Sequence, residues 1–206
     1  MPEPTVFSGL PLLLVEGVHD KGFFEALGAN RGLPPFQVYV YEGKQRFKER
    51  FSAVVAAETF ALVRSLGVTQ DADTSPAGVW DSVRAHLAAK GLAVPVEQLA
   101  PVVGPSGRRV TVLVMPSPGQ PGDLETLAYS SVDGTPPAHC VGALYACLDA
   151  TAIPHDDSGK SRLHVFLATR PTFIGSIQKS FGLGLVPLDS EVFNEAAAFL
   201  EAVTAA

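Results

Sequence analysis

Pro11-Leu-Leu-Leu-Val-Glu-Gly-Val-His-Asp20 decides the reading of this chain. Residues Pro11 to Val15 form a short continuous apolar run, the pattern of a strand buried on both faces of a parallel sheet, and the run stops at Glu16-Gly17. A helix follows from about Asp20 to Gly28, with Phe23, Phe24 and Leu27 on one apolar face. A carboxylate thus stands where a strand hands over to a helix. No Gly-x-Gly-x-x-Gly is present there, and a carboxylate in its place repels a pyrophosphate, which disfavours an ordinary dinucleotide-binding protein.

Working outward, Phe36 to Tyr41 alternates and is rich in aromatic and β-branched residues, so it reads as a second strand, closed by the turn Glu42-Gly43-Lys44. A helix is expected over about Arg46 to Thr59. A third apolar run, Ala61 to Val68, ends at Asp71-Ala72-Asp73. The segment Ala77 to Lys90 places Val79, Trp80, Val83 and Leu87 at helical intervals, and Arg109 to Met115 gives a fourth strand. Pro116 to Gly122 is then a loop opening onto Asp123-Leu124-Glu125.

Strands alternating with helices predict an α/β fold, a Rossmann-like parallel sheet of about four strands with helices on both faces. Ligands of such sheets bind outside the carboxyl ends of the strands, where the acidic residues fall. Residues 1–136 are expected to form this core. Residues 137–206 are expected to be mainly helical and packed on the same domain, with helices over Ala138 to Thr151, Lys160 to Thr169, Ile174 to Phe181 and Ser190 to Val203.

Glu16 and Asp71 would come from neighbouring strands about 4.8 Å apart, and Asp73 points the same way as Asp71 if the chain stays extended. Oxygen ligands of this kind suit Mg²⁺, which keeps waters that a phosphate can displace. Asp20 reads either as the helix N-cap or as a carboxylate behind the metal ligands. Asp123 has the same two readings. Glu125 lies in a first helical turn, where the helix dipole favours a carboxylate whatever its role. Lys44 and Arg46 belong to a charged turn that could also meet a phosphate, and His19 reads as a satisfied loop residue.

Leu14-Val15-Glu16-Gly17-x-x-Asp20 followed by Asp71-x-Asp73 resembles the two signatures of the Toprim domain. That fold is shared by topoisomerases, bacterial primases, recombination-repair proteins and the overcoming-lysogenisation-defect nucleases. The resemblance implies general acid/base or metal duty for Glu16 and Mg²⁺ or Mn²⁺ binding by Asp71 and Asp73. Over the whole chain, the sequence is similar to small stand-alone Toprim-like proteins, mostly of unknown function. The shared marks are Glu16 to Asp20, Asp71 to Trp80, Met115-Pro116 and Gly122-Asp-Leu-Glu125, and they add Glu125 as a further site carboxylate. Absent are a tyrosine in a topoisomerase context, a primase-type zinc module and an ATPase domain, so the resemblance carries the fold further than the chemistry.

The implied roles are Mg²⁺-dependent phosphodiester hydrolysis or phosphoryl transfer on nucleic acid or nucleotide, or a non-catalytic module that binds a protein partner or a phosphate-bearing ligand. The formal net charge of −6 argues against a free-standing nucleic-acid binder, although cations bound at an acidic site can attract phosphate. No stretch has about 18 consecutive apolar residues, so no membrane span is expected. The start MPEPTVFSG lacks the cationic and apolar parts of a signal peptide, which makes the cytoplasm the expected compartment. Cys140 and Cys147 read as small core residues, too far apart on a helix to bridge. Gly159-Lys160-Ser161 is not a P-loop, because Pro154 stands at the first glycine position and no strand precedes it. His155-Asp156-Asp157 reads as a polar loop before a helix.

Overall fold

The computed structural model describes residues 6–172 and 174–205. Met1–Thr5, the first five of the nine residues MPEPTVFSG read above, lie outside the described residues. The order is β1 (Leu12–Val15), α1 (Val18–Asn30), β2 (Gln37–Val40), α2 (Lys44–Ala56), a 3₁₀ turn (Glu58–Leu62), β3 (Ser65–Asp71), α3 (Pro76–Ala89), β4 (Val102–Val103) and β5 (Arg109–Met115). Then come α4 (Leu124–Ser130), α5 (Pro136–Ala150), α6 (Gly159–Ala168), α7 (Ile177–Gly182), a second 3₁₀ turn (Glu191–Phe193) and α8 (Asn194–Thr204).

The sheet runs β2-β1-β3-β5-β4, with four parallel strands and β4 antiparallel at the edge. Five strands replace the expected four, because β4 has only two residues and leaves no periodic signal. Side chains alternate across the pleat. Leu12, Leu14, Leu66, Val68, Val110 and Val112 face α2 and α3, while Leu13, Val15, Leu113 and Met115 face α1 and α4–α8. Helices therefore cover both faces, and the core is buried on each.

The third strand begins later than its apolar run suggests. Phe60 is buried within a 3₁₀ turn, and the strand instead continues through Thr69 and Gln70 to Asp71. Those two polar residues are buried in a central strand: their main chain pairs with Leu113 and Val114 of β5, and the Thr69 carbonyl accepts the Tyr41 hydroxyl at 2.9 Å. Gly67 in β3 lets α8 approach, since a Cβ there would stand 2.6 Å from Val203 Cγ2 and 3.2 Å from Phe199 Cζ.

Helix α1 starts two residues before Asp20, so Asp20 is not its cap. Gly17 occupies the cap position, and Asp20 three residues on reaches back to accept the Gly17 N–H at 2.9 Å. Phe23 anchors the same helix, its ring meeting Phe24, Phe181 and Phe193 with centroids 5.0, 5.3 and 5.2 Å away. Full burial of such a ring contributes about 1.5–3 kcal/mol and fixes the helix that carries His19 and Asp20.

Beyond residue 136 the helices fall close to the expected stretches, with two changes. The helix expected over Ile174 to Phe181 begins at Ile177, capped by the Ser176 hydroxyl, and the last one is preceded by a 3₁₀ turn. Cys140 and Cys147 are exposed, a correction to their reading as core residues. Ala138, Val141 and Tyr145 supply the buried face of α5, and the seven-residue spacing places both thiols on its outer side. Among the described residues, no helix is long and apolar enough to cross a membrane.

Candidate functional site

At the carboxyl edge of the sheet, a cleft of about 320 Å³ is lined by residues from five parts of the chain. Glu16 and Gly17 follow β1, His19 and Asp20 open α1, Asp71 ends β3, Asp73 follows it, Asp123 and Glu125 open α4, and Lys160 opens α6. Each carboxylate named from the sequence is brought to this one cleft.

Asp71 is paired in the sheet with Met115, which puts its carboxylate at the last rung of the ladder; Oδ1 accepts the Leu124 N–H at 3.2 Å. Burial, with the charges of Asp20, Glu16, Glu125 and Asp123, pushes its carboxyl from an ordinary 3.8 up to about 9. Asp20, 6% exposed, is pushed up to about 7 by burial and by the charges of Glu125 and Glu16, against the Gly17 hydrogen bond. Glu16 is also raised by burial, with Lys44 pulling the other way. Its Oε2 is buried with no hydrogen-bond partner. Unfavourable negative charge is therefore concentrated here, relieved either by protons or by a cation.

Glu125 behaves differently. Burial works to raise its carboxyl, but His19 Nδ1 lies 2.8 Å from Oε1 and holds the group below the usual carboxylate range. His19 is therefore in the first turn of α1 and partnered across 106 positions of sequence, not in a loop. Asp123 is the N-cap of α4, accepting the Thr126 N–H at 2.8 Å, and it lines the cleft as well.

Asp73 does not follow Asp71 in extended conformation. Its φ is +47°, and its main chain exchanges hydrogen bonds of 2.8 and 2.7 Å with Gly122. Asp is among the few residues that tolerate the left-handed region. The turn leaves the Asp73 carboxylate at the exposed mouth, paired with Lys44. Arg46 turns away to Glu42.

Lys160 was not among the site residues read from the sequence. Its helix docks on α4 through Gly159, where a Cβ would stand 2.5 Å from Thr126 Cα. Ser158 caps α6, accepting the Ser161 N–H at 3.2 Å, and α5 precedes the loop, consistent with rejecting a P-loop. His155, Asp156 and Asp157 are held by Asp149, Ser158 and Arg162, as a polar loop requires.

The donor set suits a hard cation: carboxylate oxygens, one buried and unpartnered, in a cleft where they repel one another. Among the described residues, no three His, Cys, Asp or Glu side chains are gathered closely enough to hold a metal ion by themselves. Mg²⁺ needs only one or two carboxylates when water and substrate phosphate complete its shell.

Residues 11–204 match the model of a family described as "Protein of unknown function (DUF3226)". The chain belongs to this family. No curated protein matches this DUF3226 chain. Among solved structures it is similar to the hypothetical protein PH0156 from Pyrococcus horikoshii OT3, with 19% identity, TM-score 0.56 and 94% and 95% of the two chains covered. It is also similar to the C-terminal region of the Burkholderia pseudomallei OLD protein, with 14% identity, TM-score 0.51 and coverage of 94% and 96%. These likenesses establish the fold: the DUF3226 chain is a Toprim-like α/β protein.

Proposed function

We propose that the carboxylate cleft supports Mg²⁺-dependent phosphodiester hydrolysis or phosphoryl transfer on a nucleic acid or nucleotide. The carrying observation is the crowding at Asp71, whose carboxyl is pushed up to about 9 by burial and by four neighbouring acids. A protein gains no stability from such an arrangement, whereas a divalent cation turns it into a binding site.

In this reading Glu16 and Asp71 would hold Mg²⁺ or Mn²⁺, with waters and a substrate phosphate completing its shell, while Asp73 and Glu125 would add negative charge around it. The bound ion supplies charge neutralisation at a phosphoryl oxygen and a more acidic water. The unpartnered Glu16 oxygen would be the residue to take a proton from an attacking water or hydroxyl. His19 keeps Glu125 ionised and oriented, and Asp20 fixes the first turn of α1. Lys160 and Lys44 place positive charge beside the cleft, where a phosphate would enter.

Two observations favour a non-catalytic binding module instead: no three side chains are gathered for a metal among the described residues, and Asp73 is tied to Lys44. The two readings separate in one experiment. Purified protein is incubated with single- and double-stranded oligonucleotides and with nucleoside triphosphates, in Mg²⁺, in Mn²⁺ and in chelator. The enzyme reading expects cation-dependent cleavage that is lost in Glu16→Gln and Asp71→Asn. Binding without turnover, or turnover that survives both substitutions, overturns it.

A further inference from the structure

The amino-terminal edge of the same sheet holds a second cavity, of about 590 Å³, bounded by the starts of β1, β3 and β5 and the end of α8. A seven-residue strand separates the two edges by roughly 20 Å, so this cavity shares nothing with the carboxylate cleft. Its walls are mostly apolar, built from Leu10, Pro11, Pro34, Pro35 and Val103. Its polar side chains are Arg64, Arg109, Ser65 and Thr204, the last donating to the Leu200 carbonyl, and no acidic side chain lines it among the described residues.

Two groups at this edge, the Ser65 hydroxyl and the Arg64 guanidinium, have no hydrogen-bond partner among the described residues, and the cations here have no counter-ion among them. Ser65 is only 6% exposed, and its Oγ is buried without a hydrogen-bond partner. Arg64, Arg108 and Arg109 stand together, yet none forms an ion pair among the described residues. Arg108 is occupied by the carbonyls of Val63 and Phe60 and by the Phe60 ring, and Arg109 donates to the Ala205 carbonyl. Among the described residues, the Arg64 guanidinium donates no hydrogen bond. In a chain of net charge −6, a local excess of cations against a hydroxyl and an apolar wall is complementary to an anion with an apolar body.

We propose that this cavity binds a small monocarboxylate with an aliphatic or aromatic body. The carboxylate lies between the Arg64 and Arg109 guanidiniums and accepts from the Ser65 hydroxyl, while the apolar body rests on Leu10, Pro34, Pro35 and Val103. A nucleic-acid backbone fits less well, because it needs a broad basic face and this wall is mostly apolar.

Calorimetric titration with octanoate tests the assignment, with octanol as the neutral control. Octanoate is expected to bind one-to-one, with octanol at least about tenfold weaker, the difference one charge-assisted hydrogen-bonded pair makes. Arg64→Gln, on an exposed side chain, is expected to keep the native circular dichroism and to weaken octanoate about tenfold, and Ser65→Ala to weaken it less. The proposal is overturned if octanoate gives no heat at millimolar concentration, if octanol binds equally well, or if Arg64→Gln and Arg109→Gln both bind octanoate as the native protein does.

Discussion

The two edges of this sheet differ in sign, and each is built from residues the strands place there. At the carboxyl edge, Glu16, Asp71 and the opening turns of α1 and α4 gather acids whose mutual repulsion only partly finds protein partners. At the amino edge, Arg64, Ser65 and Arg109 precede or begin β3 and β5, with no acidic side chain among the described residues lining the cavity with them. The contrast teaches that charge is a property of position in the sheet: strand interiors tolerate a neutral hydroxyl such as Thr69 or Thr111, whereas the ionisable groups gather at the two ends.

The largest expected effect falls on the acidic edge. If Glu16 accepts a proton, Glu16→Gln lowers cation-dependent turnover about 10²–10⁴-fold, the usual contribution of a positioned base. A single-turnover assay with the wild type as reference checks this. A loss below threefold would leave the acidic edge without a chemical role.

Next in size is the dependence of stability on pH. Asp71 and Asp20 have folded values raised from 3.8 to about 9 and about 7, so the folded chain holds more protons than the unfolded one between those limits. Stability therefore falls as pH rises from about 4 towards 9, by up to about 1.4 kcal/mol per pH unit for each extra proton held. Urea unfolding at pH 5, 7 and 9 measures the slope. Asp71→Asn should flatten it and raise stability at pH 9, whereas an unchanged slope would mean that the charges are not crowded.

Gly159→Ala tests how the acidic edge is assembled. The added methyl meets the Thr126 main chain, so the α4–α6 contact must open, at a cost of about 1–3 kcal/mol. Thermal unfolding reports the loss, and Lys160 should move away from Glu125 with it.

The smallest effect is expected from Lys44→Ala. Its pair with Asp73 is largely exposed and contributes about 0–1 kcal/mol to stability, but removing the cation raises Glu16 further. The pH profile of turnover, read beside the melting curve, should shift upward while the melting temperature hardly changes.

Much of the fold was legible because its signals are local. The run Pro11 to Val15, its stop at Glu16-Gly17, and the strand Arg109 to Met115 announce a parallel sheet and place acids at its edge. What was not legible depends on tertiary contact. Thr69 and Gln70 read as polar, yet neighbouring strands bury them and extend β3 to Asp71. The left-handed turn at Asp73 follows from its bridge to Gly122, and His19 meets Glu125 only because α1 and α4 open side by side. Lys160 and the basic amino edge carry no sequence signature, since their members come from distant strands and helices.

Manganese titration by calorimetry at pH 8, in two buffers of different ionisation heat, tests the central claim most directly. Cation binding to carboxyls held protonated by crowding predicts saturable uptake, a heat that depends on the buffer because protons are released, tighter binding as pH rises, and loss of all three in Asp71→Asn. No uptake at millimolar Mn²⁺, or uptake that Asp71→Asn leaves unchanged, would contradict it.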